Sequence, residues 1–278
     1  MNAFPPVEIL LATYNGEKYL EDLIGSLFSQ TYTDWKLTIR DDGSSDRTLQ
    51  IINKLAASYP EKIRIFDGGK SHLGSTLSFS SLLENATGNY LMLCDQDDVW
   101  FKNKIEQTRR MMQEMEQESG NVPLMVFTDL TEVDQDLNII AESFMASQKL
   151  DPSVASDPVK VAALNVVAGC TSMINRRALD YVVPIPSRYI VHDQWMAVNI
   201  SKYGRIGYLP ASTIFYRQHA SNVLGSNKIG FSYFYNKLKA PVKQFRIYYS
   251  LLSGLRFRIS LIKYAFYKVF FTIKRLFR

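Results

Sequence analysis

Three aspartates within four positions, Asp95, Asp97 and Asp98, follow directly on the apolar segment 90–94. Carboxylates this close repel one another, and burying them is costly unless a cation compensates. Segment 90–94 has the composition of a buried strand, so the acids stand at its carboxyl end, where open α/β sheets bind ligands. Oxygen ligands of this kind suit Mg²⁺ or Mn²⁺, which commonly bridge carboxylates and substrate phosphates. Taken alone, the same residues could form a solvated acidic turn before a helix that begins near Phe101.

Two upstream strands also end in polar residues. The apolar segment 7–11 leads into Thr13 and Asn15, and segment 35–40 leads into Asp41. A helical pattern of apolar residues follows each strand. The carboxyl ends of parallel strands meet at one edge of a sheet. The sequence therefore predicts an α/β fold in which these polar residues and the three aspartates share one site.

The chain resembles the nucleotide-binding half of family 2 glycosyltransferases over roughly residues 7–225. The order and spacing of several short motifs carry this resemblance, since any one of them is weak alone. The motifs are Ala12–Gly16, Arg40–Asp46, Leu73–Gly74, Ala86–Tyr90, Cys94–Asp98, Gly169–Thr171, His192–Trp195 and Tyr216–His219. The forms Asp-Gln-Asp-Asp-Val-Trp and Tyr-Arg-Gln-His look most like the bacterial rhamnosyltransferase-like branch, which builds cell-surface polysaccharide. The resemblance implies a GT-A, Rossmann-like fold with a mostly parallel sheet flanked by helices.

In the resembled family, the ends of the first two strands hold the nucleobase, and the acidic motif holds the ribose and a metal ion. An aspartate at position 41 can accept the imide N–H of uracil or thymine, which cytosine and adenine do not offer. The local alternative for segment 41–46 is an ordinary turn and helix cap. The resemblance implies nucleotide contacts from Thr13, Tyr14, Asn15, Glu17, Asp41, Asp42, Gly74, Asp95 and Gln96, and ligation of Mg²⁺ or Mn²⁺ by Asp97, Asp95 and His219.

By the same resemblance, Asp193 occupies the position of the catalytic base of inverting enzymes. It would deprotonate the acceptor hydroxyl while that oxygen attacks the anomeric carbon from the face opposite the diphosphate. Family members often carry Glu before this Asp, whereas this chain carries His192, which leaves the role of the neighbour open. The alternative is that Asp193 caps the helix that it opens. Contacts with the acceptor or the phosphates are expected from Gly169, Cys170, Thr171, His192, Trp195 and Arg217.

Charge is divided unevenly along the chain. Residues 1–193 carry 17 Lys and Arg and all 27 Asp and Glu, whereas residues 194–278 carry 15 Lys and Arg and no acid. This asymmetry indicates an anionic partner for the C-terminal part. The 2 cysteines give no disulfide framework, and no N-terminal signal peptide is visible. The reduced cytosol is therefore the expected compartment.

The C-terminal segment predicts a basic amphipathic helix. The apolar series recurs at spacings of three and four: Phe245, Tyr248, Leu252, Leu255, Ile259, Ile262, Phe266, Val269, Ile273 and Leu276. No stretch approaches the roughly 18 uncharged residues that a spanning helix needs. We expect a catalytic domain at residues 1–225 and a tail at residues 226–278 that binds an anionic membrane surface. Packing of the tail on the catalytic domain, or a coiled coil, is the alternative, and nucleic acid fits an aromatic helix less well than lipid.

Together these features predict an inverting, metal-dependent glycosyltransferase held peripherally on the cytoplasmic face of the cell membrane. The expected donor is a dTDP- or UDP-linked sugar, with L-rhamnose as the first guess, and the expected acceptor is a lipid-linked glycan. Self-association into a homo-oligomer is compatible with the tail. Three alternatives stay open: a sugar-nucleotide nucleotidyltransferase, a phospho-receiver domain and an inactive glycan-binding relative. A nucleotidyltransferase would need a Gly-rich, basic triphosphate loop, which this chain lacks after its first strand. A receiver carries an acid pair after the first strand, where this chain has Thr13, Tyr14 and Asn15, and the domain is also about twice too long for a receiver.

Overall fold

The computed structural model describes residues 6–69, 72–219 and 241–277. Nine strands in these ranges form one sheet, and helices cover both of its faces. The strands are β1 (Val7–Thr13), β2 (Trp35–Asp41), β3 (Ile63–Ile65), β4 (Tyr90–Asp95), β5 (Val99–Trp100), β6 (Leu124–Val133), β7 (Ile139–Ala141), β8 (Ser172–Asn175) and β9 (Arg205–Arg217).

The helices alternate with the strands along most of the chain. They are α1 (Leu20–Phe28), α2 (Thr48–Ser58), α3 (Ser75–Glu84), α4 (Lys104–Ser119), α5 (Phe144–Ser147), α6 (Pro158–Ala163), α7 (Leu179–Val182), α8 (His192–Tyr203), α9 (Pro241–Gly254) and α10 (Leu261–Phe277). Short 3₁₀ turns at Pro152–Ser156, Gly169–Thr171 and Arg176–Ala178 complete the described structure. This order confirms the predicted α/β class.

The sheet is parallel in its first half and mixed in its second. Its strand order is β3-β2-β1-β4-β8-β6-β9-β5, and β7 pairs with the outer part of β6. Strands β3, β2, β1 and β4 run parallel, as do β6 and β9, whereas β8 is antiparallel to both β4 and β6. The expected mostly parallel sheet is therefore realised where the nucleotide motifs lie, and the antiparallel β8 starts the second half.

The register of β1 places the polar strand ends side by side. Thr13 stands opposite Asp41 of β2, and Ala12 stands opposite Asp95 of β4. Both faces of β1 are buried, since Leu10 packs in one helical layer and Ile9 packs in the other. A strand covered on both faces requires a continuous apolar run, which is why the sequence of segment 7–11 identifies it.

The described part of the tail, residues 241–277, forms two helices, α9 and α10, so the prediction of one continuous helix from Phe245 onwards is wrong. Gly254 ends α9 flush against the core, where a Cβ would lie 2.8 Å from Pro186 Cγ and 3.2 Å from the Trp195 ring. The apolar spacing continues across residues 255–260 although the helical hydrogen bonds stop there. The predicted boundary at residues 225 and 226, the side chain of Phe245 and Arg278 lie outside the described residues.

The tail also packs on the catalytic domain through one of its faces. Leu251 of α9 is 1% exposed and Phe271 of α10 is 7% exposed, and both belong to the main hydrophobic core. Tyr264 and Tyr267 pack against the same core. None of the described helices has both the length and the apolar character that crossing a bilayer requires.

Glu8, near the start of β1, connects neighbouring strands at the end of the sheet opposite the polar strand ends. Its Oε1 accepts a hydrogen bond from Thr38 Oγ1 at 2.6 Å, and its Oε2 accepts bonds from the backbone nitrogens of Thr87 at 2.6 Å and Gly88 at 2.7 Å. Burial raises the pKa of this carboxyl, but the hydrogen bonds and the charge of Arg64 outweigh it and hold the pKa below its ordinary value. The bonds join β1 to β2 and to the turn that leads into β4.

Glu8→Gln should lower the free energy of unfolding at neutral pH by about 1–3 kcal/mol, because buried N–H groups lose a charged acceptor. The depressed pKa makes this advantage present above the unfolded-state value of about 4.3, and it disappears as the pH falls through the native pKa. Urea titrations at neutral pH and near pH 3 measure both effects. Glu61→Gln, at an exposed position, is the control, and equal losses in the two variants would contradict the assignment.

Candidate active site

The ends of β1 and β2 are joined through the Asp41 carboxylate. Its Oδ1 accepts hydrogen bonds from Thr13 Oγ1 at 2.9 Å and Ser44 Oγ at 2.6 Å, and its Oδ2 accepts bonds from the nitrogens of Gly43 at 3.0 Å and Ser44 at 2.8 Å. Thr13 is buried and Asp41 is partly exposed. The turn interpretation of segment 41–46 is thus correct locally, and it leaves Asp41 at the predicted nucleotide edge.

The loop after β1 is held by the loop after β2. Asn15 adopts a left-handed backbone conformation with φ of 49°, and its Oδ1 accepts a hydrogen bond from Ser45 N at 2.8 Å. Glu17 Oε2 accepts a bond from Arg47 N at 2.8 Å. Tyr14, directly before Asn15 in the same loop, is 50% exposed. Asn15 and Glu17 therefore shape this edge of the site, and the ring of Tyr14 is the part that is open to a ligand.

Asp42 is a correction to the predicted nucleotide contacts. It is 6% exposed, and its carboxylate accepts bonds from Arg40, Leu73 N and Gly74 N, each at 2.8 Å. Burial raises the pKa of Asp42, and the Arg40 guanidinium and the two N–H groups more than reverse this and hold it below its usual range. Because its oxygens are engaged inside the protein, Asp42 positions the Leu73–Gly74 loop and does not face the nucleotide.

Gln96 is a second correction, for a similar reason. Its Oε1 accepts a hydrogen bond from Tyr14 N at 2.9 Å, and its Nε2 donates to Tyr14 O at 3.0 Å. A Cβ on Gly16 would lie 2.3 Å from Gln96 Oε1, so glycine is required beside this amide. Gln96 fastens the β1 loop to the acidic motif, since both polar atoms of its amide are engaged with the backbone of Tyr14.

The acidic motif gathers more negative charge than the buried Lys104 behind it can balance. Ligand atoms of Asp95, Asp98 and Cys170 lie within 4.8 Å of one another. Asp98 is fully buried, and within the described chain its carboxylate oxygens meet no nitrogen or oxygen donor, only the weak S–H donor of Cys170. Burial, and then the charge of Asp97, raise the pKa of both Asp95 and Asp98. Crowded carboxylates of this kind fit a divalent cation, which removes the repulsion that raises the pKa.

Asp97 and His219 come together on the open side of this motif. His219 Nε2 lies 2.8 Å from Asp97 Oδ2, and the side chains of Asp97 and His219 are 17% and 12% exposed. The ring of Tyr19 stacks on that of His219 with centroids 4.9 Å apart. A carboxylate oxygen and an imidazole nitrogen are ligands that Mn²⁺ accepts. The structure thus pairs two of the three predicted metal ligands, and Asp95 lies nearer to Asp98 and Cys170.

Arg217 is a third correction, since it is no phosphate ligand. It is 3% exposed and forms an ion pair with Asp22 at 2.9 Å. Its guanidinium also donates to the carbonyl oxygens of Asp97 at 3.1 Å and Gln135 at 2.7 Å, and it stacks on the Tyr19 ring at 4.5 Å. Arg217 therefore holds the backbone of the acidic motif from inside.

Asp193 lies at the first turn of α8, where its carboxylate accepts three hydrogen bonds. Asn165 Nδ2 donates to Oδ1 at 2.9 Å and Gln194 N at 2.5 Å, and Gly169 N donates to Oδ2 at 3.3 Å. Burial raises the pKa of Asp193 to about 6, although these bonds act in the opposite direction. A carboxylate with a pKa in this range is suited to accept a proton at neutral pH.

His192 stands where relatives often carry an acid, and it is neutral. Burial lowers the pKa of its imidazole to about 4, and its ring lies 4.5 Å from that of Phe79. A Cβ on Gly169 would lie 2.7 Å from His192 Nε2. Glycine at position 169 thus allows the imidazole to approach the backbone beside Asp193, and His192 adds no charge to the base.

Three residues predicted to contact the acceptor lie inside the protein. Trp195 is 4% exposed, and its Nε1 donates to Val182 O at 2.7 Å, so it belongs to the core and cannot stack on a sugar. Thr171 is 1% exposed and donates to Ala168 O at 2.8 Å. Cys170 is 3% exposed, and burial raises the pKa of its thiol. The three residues are therefore buried supporting residues of the site, and the prediction that they contact the acceptor is corrected.

Sequence reasoning missed two residues that contact the site. Asn165 has no motif around it, and its partner Asp193 is 28 positions away. Lys104 opens α4 and reads as an exposed lysine, but it is fully buried. Burial lowers the pKa of Lys104 to about 8, and Asp98 is among the acids that act against this. The one signal in the sequence is that Lys104 follows Asp98 by six positions, which is close enough for its side chain to lie near the acids.

The chain matches the family model described as Glycosyl transferase family 2 over residues 8–182. The putative glycosyltransferase EpsE of Bacillus subtilis is 36% identical over 106 residues, which are 38% of this chain and 38% of EpsE, so this chain spans well under two thirds of that relative. The dTDP-rhamnosyl transferase RfbG of Shigella flexneri is 27% identical over 244 residues, which are 82% of this chain and 78% of RfbG.

A solved structure supports the fold. The mannosyltransferase PcManGT of Pyrobaculum calidifontis, in complex with GDP-Man and Mn²⁺, superimposes with a TM-score of 0.60 at 14% identity, over 98% of this chain and 70% of that chain. At this identity the likeness shows the GT-A fold alone. The family model covers more than half of the sequence and includes both nucleotide-side strand ends and the acidic motif. The chain therefore belongs to glycosyl transferase family 2.

Proposed function

We propose that this chain is an inverting, metal-dependent glycosyltransferase of cell-surface polysaccharide synthesis. One observation carries the proposal: Asp193, a buried carboxylate with a pKa of about 6, is close enough to the acidic motif for its charge to raise the pKa of Asp95. A base and a cation-binding motif on one sheet edge are what a single displacement at an anomeric carbon needs. The supporting relatives are RfbG, named a dTDP-rhamnosyl transferase, and PcManGT, solved with GDP-Man and Mn²⁺.

The reaction requires one proton acceptor. The acceptor hydroxyl gives its proton to Asp193, its oxygen forms the new bond to the anomeric carbon, and the bond to the nucleoside diphosphate breaks on the opposite face. Asn165 and the N–H of Gly169 orient the carboxylate and stabilise its charged form. The imidazole of His192 stays neutral and leaves the charge of the base unchanged. Inversion follows because no protein nucleophile intervenes.

Asp41 and the exposed Tyr14 ring form the nucleotide side of this proposal. The donor is a dTDP- or UDP-linked sugar, with dTDP-L-rhamnose as the first candidate, and the acceptor is a lipid-linked glycan. Asp97 and His219, with Asp95 behind them, are the residues that would hold Mg²⁺ or Mn²⁺. When bound, the ion supplies positive charge that neutralises the leaving diphosphate.

EDTA should abolish release of nucleoside diphosphate, and Mn²⁺ or Mg²⁺ should restore it. Asp97→Ala should remove the part of UDP or dTDP binding that depends on the metal, because a ligand of the ion is lost. Isothermal titration with and without Mn²⁺ measures this without turnover. Asp136→Ala, an exposed acid outside the site, is the control. Full activity in EDTA would overturn the metal role.

Asp193→Asn should lower kcat by ~10²–10⁴, the usual contribution of a general base, while nucleotide binding stays unchanged. Since only the carboxylate accepts a proton, kcat/KM of the wild type should fall as the pH drops through about 6. A pH–rate profile of donor turnover measures this limb. Asp180→Asn, at an exposed position, should leave both quantities unchanged. Near-wild-type kcat in Asp193→Asn would show that another group is the base.

The tail supports attachment to an anionic membrane surface as part of the same proposal. We call the exposed side of the last helix the α10 apolar face; it consists of Leu261, Ile262, Phe266, Val269, Phe270, Ile273, Leu276 and Phe277. Ile262 is 84% exposed and Phe277 is 88% exposed. The exposed basic residues Arg256, Arg258 and Lys263 lie next to it. Residues 194–278 contain no acid, so a second copy would bring like charges together, whereas anionic lipid complements them.

Replacing Ile262 and Phe266 together by Asn should lower the partition coefficient onto phosphatidylglycerol-containing vesicles about tenfold or more, because apolar burial in the interface is lost. Co-sedimentation at low and high salt measures the partition. Replacing Ile139 and Ile140 by Asn, two exposed isoleucines on β7, is the matched control. Substitution is preferable to truncation, which would remove Leu251 and Phe271 and expose the core residues that they cover. Equal sedimentation of the two double variants would defeat the assignment.

A further inference from the structure

We propose that α10 also positions the catalytic base, and that Lys268 is the residue through which it acts. The inference rests on the proposed role of Asp193 as the base. It concerns the inward side of α10, opposite the α10 apolar face, and the short helix α6 on which that side packs.

The carboxyl end of α6 is capped by two side chains from different helices. The last carbonyl groups of a helix lack partners within it and need external donors. Gln194 Nε2 donates to Val161 O at 3.2 Å and to Ala162 O at 2.8 Å. Lys268 Nζ donates to Ala163 O at 2.7 Å, and its positive charge is favourable at a helix carboxyl end. One cap thus comes from the residue next to the base and the other from the tail.

The chain that leaves α6 supplies the hydrogen bonds of the base. Asn165, two residues beyond the helix, donates to Asp193 Oδ1 at 2.9 Å and is itself fixed by bonds to the backbone of Val167 at 3.0 and 3.1 Å. Gly169 N, farther along the same segment, donates to Asp193 Oδ2 at 3.3 Å. Two of the three bonds to this carboxylate therefore depend on where segment 164–169 leaves α6.

The contact of Lys268 is part of a broad attachment. Its ammonium also lies 4.5 Å from the ring centroid of Tyr248 in α9. One turn and two turns further on, Phe271 is buried and Arg275 Nε donates to Gln148 O at 3.0 Å. A lysine of a helix that only lies on a membrane points to the lipid headgroups. Lys268 instead points inward and binds the carboxyl end of α6, so it stabilises the helix from which the residues around the base extend.

Lys268→Met, which keeps the length of the side chain and removes its charge, tests the inference. Looser placement of Asn165 should lower kcat by about 10- to 100-fold with an unchanged donor KM. The hydrogen bond from Asn165 favours the charged carboxylate, so its weakening should move the acid limb of the pH–rate profile to higher pH. Lys268→Arg should restore both. The readout is nucleoside diphosphate release from dTDP-L-rhamnose or a UDP-sugar, whichever is turned over.

A second readout does not depend on the donor. Hydrogen–deuterium exchange of the full chain should become faster in segments 161–170 and 192–196 of Lys268→Met. Lys54→Met, at an exposed lysine on α2 away from the site and the tail, should match the wild type. Arg275→Met removes another contact of α10 away from the base and controls for general loosening of the tail.

Each outcome decides for or against Lys268. An acid limb and an exchange pattern equal to those of Lys54→Met would overturn the inference, as would faster exchange that Arg275→Met reproduces to the same extent. Lower kcat without a shifted limb also counts against it. Asp193→Asn with normal activity would instead remove the proposed base, so failure of that function and failure of this inference are distinguishable.

Discussion

The arrangement of the site depends on the repulsion among the carboxylates at one edge of the sheet, which the surrounding residues and a bound cation would have to offset. Asp95 and Asp98 cannot both carry charge at low cost, because Asp98 is buried, Asp95 is half-buried and the charge of Asp97 acts on both. Lys104 lies on the inner side, but one ammonium group cannot balance three carboxylates, and burial lowers its own pKa to about 8. A nucleoside diphosphate would add further negative charge. An ion held by Asp97 and His219, as proposed, would therefore reduce the repulsion within the protein and neutralise the charge of the donor.

Several charged and amide side chains of the site are engaged in hydrogen bonds that hold its loops in place. Arg40 with Asp42 holds the loop at Gly74, Gln96 holds the loop at Tyr14, and Arg217 holds the backbone of Asp97. These residues stand in the same motifs as the groups that face the ligand. One sequence motif therefore contains both residues proposed to contact the ligand and residues that hold those contacts in place. The burial of each side chain distinguishes the two groups, whereas the spacing of the motif does not.

The parts of this structure that follow from local pattern were predictable, and the parts that depend on long-range contacts were not. Apolar runs ending in polar residues identified β1, β2 and β4 and the edge where Asp41 and Asp95 lie. The resemblance supplied Asp193. Nothing local marks Lys268, whose partner Ala163 is 105 positions away. The apolar spacing of the tail likewise continued through residues 255–260, where packing at Gly254 ends the helix.

The two faces of α10 would link membrane attachment to the positioning of the catalytic base. A helix lying on a membrane by itself would need only its apolar face, and a helix that merely completes the core would leave no large apolar side chains exposed. This helix has both an exposed apolar face and a buried one, since Ile262 is 84% exposed and Phe271 is 7% exposed. The proposed lipid-linked acceptor would approach from the membrane plane, and the carboxylate that would take its proton is connected to α10 through α6, on which α10 packs. Lipid contact on one face and support of Asp193 on the other would then act through one rigid element, so that binding the membrane and ordering the base are coupled in free energy.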